Sequence, residues 1–307
     1  MIAWSSNLGQ AGYPRGGMGA VATALKESAE AAGAEVRTRA GVTRVIVRDG
    51  QAVGVELEDG TEISARVVLS NADPRKTFLK LVGSDNLKPD FARRVRLLHA
   101  DAGYMKLHCA AGGLPDWSVL PGAGPLPHHY AQARICSNLD VLDSAWIAAR
   151  TGQLPDEYSL GVVCPSLYDT AAAPAGKYAI SIWVEFAPIR PEGENWDGFR
   201  DRAARAIISQ VEEYAPNFAQ IIDEWYLHTP QDIEEMAGIN DGSMHHIDMT
   251  PDQMLALRPL PECSAYRTPV RSLYLCGSGT HPCGSVTGGP GHNAAAAILD
   301  HLKVAGD

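Results

Sequence analysis

The stretch RSLYLCGSGTHPCGSVTGGPGHNAAAAILDHLK, residues 271–303, decides the fold. Residues 273–276 are apolar and predict a short strand, and residues 293–302 contain good helix formers and predict an amphipathic helix. The loop between them is crowded with glycines, namely Gly277, Gly279, Gly284, Gly288, Gly289 and Gly291. Because glycine has no Cβ, a flat ligand can approach such a backbone closely, and the helix N-terminus favours an electron-rich group.

Two other interpretations of this segment were weighed. Gly277-Ser278-Gly279 superficially resembles a dinucleotide fingerprint, but Pro282 stands where the third glycine belongs and Asp300 falls inside the predicted helix. A glycine-rich connector without a ligand is the other alternative, and six glycines with two prolines are many for a mere connection. An anionic, reduced flavin ring is one ligand that such a segment would suit.

Residues 16–73 form a second organised region. Alanines and Leu25 recur at helical spacing up to Gly33, which is a typical C-terminal stop. Strands are then predicted at residues 35–38, 42–47, 52–57 and 62–69. Asp49-Gly50 and Asp59-Gly60 favour tight turns between them, and the apolar run 67–69 predicts a strand that is buried on both faces.

Between about residue 74 and residue 250 the periodicity is weaker. Helices are predicted at residues 74–81, 89–98 and 196–214, and strands at residues 102–109, 160–165 and 178–186. Most of the large aromatic side chains lie here. They either build a second core or line a site for a flat or apolar substrate.

Composition narrows the class of protein. The 307 residues carry a formal net charge of −10, which argues against a nucleic-acid binder. The six cysteines form no CxxC pair, which favours reduced thiols in a cytosol-like compartment. No signal peptide is recognisable and no apolar run approaches the roughly 18 residues of a bilayer span, so a soluble cytoplasmic protein is expected. Peripheral contact with a membrane surface stays open.

Two stretches carry a resemblance to a known family. The run LYLCGSGTHPCGSVTGGPGHNAA resembles the C-terminal flavin segment of phytoene desaturase-like FAD-dependent oxidoreductases of the amine oxidase superfamily. The run from GGMGAVATAL to VVLSNADP resembles the middle segment of the same family. Within this family the chain resembles the pyridine nucleotide-disulphide oxidoreductase domain-containing protein 2 group, and the PLPHH stretch at residues 125–129 adds to that resemblance.

The resemblance implies FAD as the cofactor and an α/β fold. An incomplete Rossmann-like FAD-binding domain would comprise residues 1–73 and 251–307, and an α+β substrate domain with a mixed or antiparallel sheet would comprise residues 74–250. Gly277 and Ser278 would lie along the ribityl and pyrophosphate, and Val42 would touch the adenine through its backbone. The ring's edge and the helix beneath it would involve Val286, Thr287, Gly288, Gly289 and Asn293.

The chain departs from the family's pattern in two places. Cys283 and Ser285 stand where the family usually has glycines, so either side chain would narrow the space beside a flavin, and a thiol contact or a covalent flavin link through Cys283 is an alternative. The family's initial βαβ unit with its GxGxxG loop is missing. We therefore expect a fragment, a separate chain that supplies the dinucleotide-binding half, or loss of tight FAD binding.

No catalytic residue is predicted firmly. His281 beside Pro282 is a weak candidate for tuning the flavin or moving a proton, against the alternative of a loop histidine bonded to backbone. The pairs 128–129 and 245–246 are adjacent histidines without metal-site spacing, so no metal is expected. No serine fits a nucleophile elbow. Lys106 and Arg134 carry no prediction.

The resemblance thus implies hydride transfer from a small apolar or aromatic substrate to flavin. In this family the positioning of the substrate against the ring is expected to dominate catalysis. The alternative from another class is a non-catalytic interaction or scaffold protein derived from a flavoenzyme.

Overall fold

The computed structural model describes residues 3–5, 10–101, 103–122, 124–193, 195–284 and 286–304. The chain forms two compact units. The first comprises residues 11–34 and 101–237, and the second comprises residues 35–100 and those from 238 onward. Both units combine helices with sheets, so the predicted α/β fold class is confirmed.

The elements are numbered in chain order. The strands are β1 Ala3–Ser5, β2 Gln10–Gly12, β3 Val42–Arg48, β4 Gln51–Leu57, β5 Glu62–Ser64, β6 Val68–Ser70, β7 Gly103–Ala111, β8 Ala133–Ile135, β9 Leu160–Val163, β10 Tyr178–Ala187, β11 Ile222–His228 and β12 Leu273–Leu275. The α-helices are α1 Gly17–Ala31, α2 Pro89–Arg96, α3 Leu139–Arg150, α4 Trp196–Glu212, α5 Phe218–Ile221, α6 Pro230–Ala237 and α7 Gly289–Val304. A π-helix spans Lys76–Gly83, and 3₁₀ turns lie at Ser84–Asn86, Pro127–Tyr130, Pro165–Leu167, Thr170–Ala172, Asn240–Gly242, Pro251–Gln253, Leu255–Leu257 and Pro261–Cys263.

The first unit is organised around an antiparallel sheet in the order β11-β7-β10-β9-β8. Along β7 the burial alternates strictly, with Met105, Leu107 and Cys109 turned towards the core and the residues between them turned outward. This two-faced pattern means that one face of the sheet packs while the other stays available for a ligand.

Helix α4 covers the core face of that sheet. It begins after Asn195, whose side chain accepts a hydrogen bond from the backbone N–H of Gly198 as a helix cap. Phe199, Ala203 and Ile207 follow at helical spacing and join one buried cluster with the strands. The cap and the apolar stripe are both visible in the sequence, which explains why this helix is predicted almost residue for residue.

The second unit contains the antiparallel sheet β3-β4-β5. Asp49 and Gly50 between β3 and β4 both have positive φ, as a two-residue hairpin turn requires, so this predicted turn is confirmed. Strands β6 and β12 pair in parallel, with Val68 opposite Leu273. The π-helix and α2 pack on this unit's own core through Phe78 and Phe91.

Three predictions about elements are wrong. Residues 35–38 are not a strand, because all four lie exposed and gain no buried face. The predicted strand 62–69 is split into β5 and β6 by residues 65–67. The strand predicted to be buried on both faces is buried on one, since Leu69 is 42% exposed between buried Val68 and Ser70.

Helix α1 buries none of its residues, although its alanines and Leu25 recur at helical spacing, and Leu25 is among its exposed side chains. All six cysteines are free thiols. Among the described residues, no helix is both long enough and apolar enough to cross a bilayer.

Candidate functional site

The stretch from Gly277 to Gly291, here called the glycine segment, leaves the carboxyl end of strand β12, beside the carboxyl end of its parallel neighbour β6. Carboxyl ends of parallel strands are where α/β folds commonly place their ligands. Here Gly277 follows β12 and Asn71 follows β6, and a Cβ on Gly277 would collide with the Asn71 side chain. Gly277 also has a φ of +85°, so two independent constraints select glycine at this position.

Two glycines further along the segment, Gly288 and Gly291, leave the backbone open. Val286 and Gly288 have positive φ, and a Cβ added to Gly288 or Gly291 would meet no atom within 4 Å. Helix α7 begins at Gly289, four residues before the predicted start, and the Gly289 N–H donates to Thr287 Oγ1 at 3.1 Å. The first turn of the helix therefore lies within the glycine segment, with Thr287 and Gly288 exposed beside it. An exposed helix N-terminus beside open glycine backbone suits a flat, electron-rich ligand.

Two predicted site residues are held by Tyr266. The Asn293 side-chain amide donates to the Tyr266 hydroxyl at 2.8 Å, and that hydroxyl donates to the His281 carbonyl oxygen at 2.7 Å. Asn293 thus has a positioning contact that the sequence did not suggest. His281 is half-buried, and its backbone is fixed by this chain of hydrogen bonds. Its role as a proton-moving group stays a prediction.

The side chain of a buried arginine is hydrogen-bonded to the backbone of the glycine segment. Arg258 is 1% exposed, and its Nε and Nη2 both donate to the carbonyl oxygen of Ser278, at 3.1 and 2.8 Å. Its other hydrogen bonds go to the carbonyl oxygens of His245, Ile247, Asp248 and Gln253. Burial lowers the pKa of this guanidinium from its usual value. The sequence gives no sign of it, because the bonds are to main-chain atoms distant in the chain.

Cys283, one of the two departures from the family pattern, points into the protein. It is 4% exposed with a φ of +84°, and its Sγ lies 3.4 Å from Nδ1 of His245. Burial, followed by the charge of Arg258, lowers the pKa of His245, so its imidazole is neutral near pH 7. Ser285, the other departure, lies outside the described residues. A covalent flavin link through Cys283 stays a prediction that this contact does not test.

Val42 opens strand β3 opposite Leu57 and is partly exposed. Its exposed edge is compatible with a backbone contact to a ligand, and the predicted adenine contact stays a prediction. The predicted site residues from Val42 to Asn293 thus all lie in the second unit.

The outward face of the first unit's sheet carries a second group of candidate residues that the sequence reading missed. Lys106 on β7 lies opposite Trp183 on β10 and His228 on β11, so all three share one row of the sheet. The Trp183 ring lies 5.1 Å from the Tyr104 ring, and the His228 ring lies 5.3 Å from the His108 ring. Together with Tyr104 and His108, this row forms an aromatic surface around Lys106.

The pKa values of two side chains on this surface, Lys106 and His108, are lowered. Desolvation lowers the pKa of its ammonium group from the usual value. Partial desolvation, followed by the charges of Lys106 and His228, also lowers the pKa of His108 to about 4. The alternation Tyr104, Lys106, His108 in a strand whose other residues are apolar was the signal that would have identified this face.

Comparison with known proteins gives three findings. Residues 4–104 match the family model described as flavin containing amine oxidoreductase. The pyridine nucleotide-disulfide oxidoreductase domain-containing protein 2 of Rattus norvegicus is 36% identical over 299 residues, covering 95% of this chain and 51% of that protein. The phytoene desaturase of Fusarium fujikuroi is 25% identical over 292 residues, covering 88% of this chain and 48% of that protein.

Among solved structures, an oxidoreductase from Methanosarcina mazei superposes with a TM-score of 0.61 at 16% identity, covering 95% of this chain and 56% of that one. This likeness concerns the fold. The chain spans about half the length of the curated relatives it matches.

Proposed function

Because the chain is related over almost its whole length to flavin-containing oxidoreductases of the amine oxidase superfamily, as its sequence predicts, we propose that it is about half of an FAD-dependent dehydrogenase. Its reaction is hydride removal from an apolar or flat organic substrate. One relative is named a desaturase, which is in keeping with such a reaction.

The observation that supports FAD is the open backbone at Gly288 and Gly291 of the glycine segment. Glycines with free space on their Cβ side, beside a helix N-terminus, fit a flat ring that gains negative charge on reduction. Gly277 and Ser278 would follow the ribityl and pyrophosphate, and Val42 the adenine. The ring's edge would lie along four residues, Val286, Thr287, Gly288 and Gly289, with Asn293 held in place by Tyr266.

The bound flavin would supply the hydride acceptor. Within the first unit taken by itself, the outward face of the β7 sheet is the surface whose chemistry suits an apolar or aromatic molecule. Trp183 and Tyr104 offer ring faces to an apolar or aromatic molecule. Lys106, whose pKa is lowered, can hold or release a proton at its Nζ nearer neutral pH than an exposed lysine can.

We further propose that this chain alone binds FAD weakly and that a dinucleotide-binding half completes the site. The GxGxxG loop that would hold the pyrophosphate is not in this sequence, and the relatives are about twice as long. That half is either another part of the same protein or a separate chain.

Titration with FAD, followed by quenching of flavin fluorescence, tests the cofactor. We expect weak quenching with this chain alone and tighter binding once the part of the rat relative that this chain does not match is supplied. Gly291→Leu places a side chain in the open space without straining the helix, so it should weaken FAD binding by about tenfold or more. Ala295→Leu, an exposed change in the same helix, should leave binding unchanged.

No quenching at high micromolar FAD, even with the supplied half, would reject the flavoenzyme and favour the scaffold alternative. Unchanged binding by Gly291→Leu would reject the assignment of the glycine segment.

Competitive acetylation followed by mass spectrometry tests Lys106 without knowledge of the substrate. Because desolvation lowers its pKa, Lys106 should become reactive at lower pH than the exposed lysines of the chain. A profile that coincides with theirs would remove Lys106 from the proposed proton-holding role. His108→Gln removes a neighbouring ring and provides a variant in which the profile is expected to shift only slightly.

A further inference from the structure

A pocket of about 330 Å³ lies at the amino end of strand β12, in the second unit. Its walls come from the segment that leads into β12, from the start of β4 and from the last turn of α7. The lining residues are Gln51, Arg267, Thr268, Val270, Arg271, Ser272, Leu273, Tyr274 and His301. The glycine segment leaves the opposite, carboxyl end of β12, so the two places are separate.

The pocket is positively charged. Among the lining residues that the structure describes none is acidic, in a chain whose net charge is −10. Arg271 donates through Nη2 to the Asp49 carbonyl oxygen at 2.8 Å, which leaves its charge uncompensated. Within the described part of the chain, neither Arg267 nor Arg271 pairs with a carboxylate, whereas Arg44, Arg94 and Arg200 all do.

The neutral groups of the pocket are polar as well. The Gln51 amide donates to Ser272 Oγ at 3.2 Å, and the Tyr274 hydroxyl is hydrogen-bonded to Nδ1 of His301. Two guanidinium groups surrounded by hydroxyl, amide and imidazole groups offer more donors than a carboxylate with its two oxygens can use. A phosphate group, with three terminal oxygens, suits them better.

We propose that this pocket binds the phosphate group of a small organic phosphate, with Arg267 and Arg271 as the charged ligands. Its volume is at the lower end of the range of small-molecule sites and leaves room for a compact organic group beside the phosphate. The site is independent of FAD, because none of its lining residues belongs to the glycine segment.

Isothermal titration calorimetry with ribose 5-phosphate, inorganic phosphate and acetate tests the site on the full chain. We expect ribose 5-phosphate to bind at least as tightly as inorganic phosphate. Acetate should bind more weakly than inorganic phosphate by a factor of about ten or more. Arg267→Gln combined with Arg271→Gln should weaken both phosphate probes by about tenfold or more. Arg66→Gln removes an exposed arginine outside the pocket and should change nothing.

A second variant guards against a folding defect. Ser272→Asp puts a carboxylate into the pocket while leaving both arginines, and Ser272 has a φ of +58°, which aspartate tolerates. It should abolish phosphate binding at an unchanged melting temperature. The proposal is overturned if neither phosphate probe binds up to about 10 mM, if only inorganic phosphate binds, if acetate binds equally, or if the pocket variants bind like the unaltered chain.

Discussion

At the residue scale, the Asp232 carboxylate joins helix α6 to helix α4 and to the residue that precedes α6. Its Oδ2 accepts from the Thr229 N–H at 2.7 Å, from Thr229 Oγ1 at 2.8 Å and from Arg200 Nη1 at 2.6 Å, and Oδ1 accepts from Arg200 Nη2 at 3.0 Å. Burial acts to raise the pKa of Asp232, but the bonds from Arg200 and Thr229 outweigh it and lower the pKa to about 2.

This depressed pKa predicts a loss of stability in acid. Since the folded pKa lies below the unfolded value, the stabilisation is complete above about pH 4 and disappears as the pH falls towards about 2. Asp232→Asn should lower the free energy of unfolding by about 2 kcal/mol near pH 7 and by much less near about pH 2. Urea unfolding followed by tryptophan fluorescence at several pH values measures both.

The exposed pair Lys177–Asp223 provides the matched control. Both side chains are nearly half exposed, so Asp223→Asn should cost less than about 1 kcal/mol. Equal losses for the two variants would contradict the assignment of a special role to Asp232.

Predictability at this scale depends on whether a residue's partners are near in sequence. Gly277 was identified because a glycine-rich loop between a strand and a helix is a local pattern. Arg258 was not, since its partners are carbonyl oxygens of a folded loop. Lys106 lay in a strand that was predicted, but its significance arises from Trp183 and His228 on neighbouring strands.

At the scale of elements, Gly54 limits how strand β4 can pair with β5. A Cβ on Gly54 would run into the carbonyl group of Ile63 and would stand 3.1 Å from Cα of Ser64, and both of these are backbone atoms that cannot rotate away. Gly54 and Ser64 face each other in the ladder. The close approach is therefore a property of the sheet itself.

Two glycine-to-alanine changes should have opposite signs. Gly54→Ala should destabilise the protein by roughly 2 kcal/mol, because strand β5 must shift away. Gly19→Ala lies in the exposed interior of α1 with nothing within 4 Å of the new Cβ, so it should stabilise by about 0.5–1 kcal/mol. Thermal unfolding of the two variants, each against the unaltered chain, is the measurement. If Gly54→Ala stabilised the protein, strand β5 would have moved without a cost in stability, and the prediction would be wrong.

Elements were predictable where local signals agree. Helix α4 has a cap and an apolar stripe, and it was predicted nearly to the residue. Helix α7 begins earlier than expected, because glycine and proline in its first turn read as a loop, although proline is well suited to that turn. Helix α3 was missed, although Asn138 caps it and Val141, Ala145 and Ala149 form its buried stripe, since the surrounding periodicity is weak.

At the scale of the whole molecule, the boundaries of the predicted domains lie at residues 73 and 251. The boundaries of the observed compact units lie near residues 35, 101 and 238. Helix α1 belongs with the first unit, and residues 74–100 belong with the second. Contacts between segments distant in the chain decide such boundaries, and local patterns carry no information about them. The functional division into an FAD-binding part and a substrate-binding part stays a prediction.

The position of β7 in its sheet has a consequence for how the protein is made. Strand β7 ends at residue 111, yet its two neighbours, β10 and β11, begin only at residues 178 and 222. While the ribosome is still adding those residues, the backbone N–H and C=O groups along both edges of β7 are unpaired, and its apolar side chains are uncovered. The nascent chain must therefore keep this strand from pairing with other chains until residue 228 has emerged, so synthesis, and not only the finished fold, exposes the protein to aggregation.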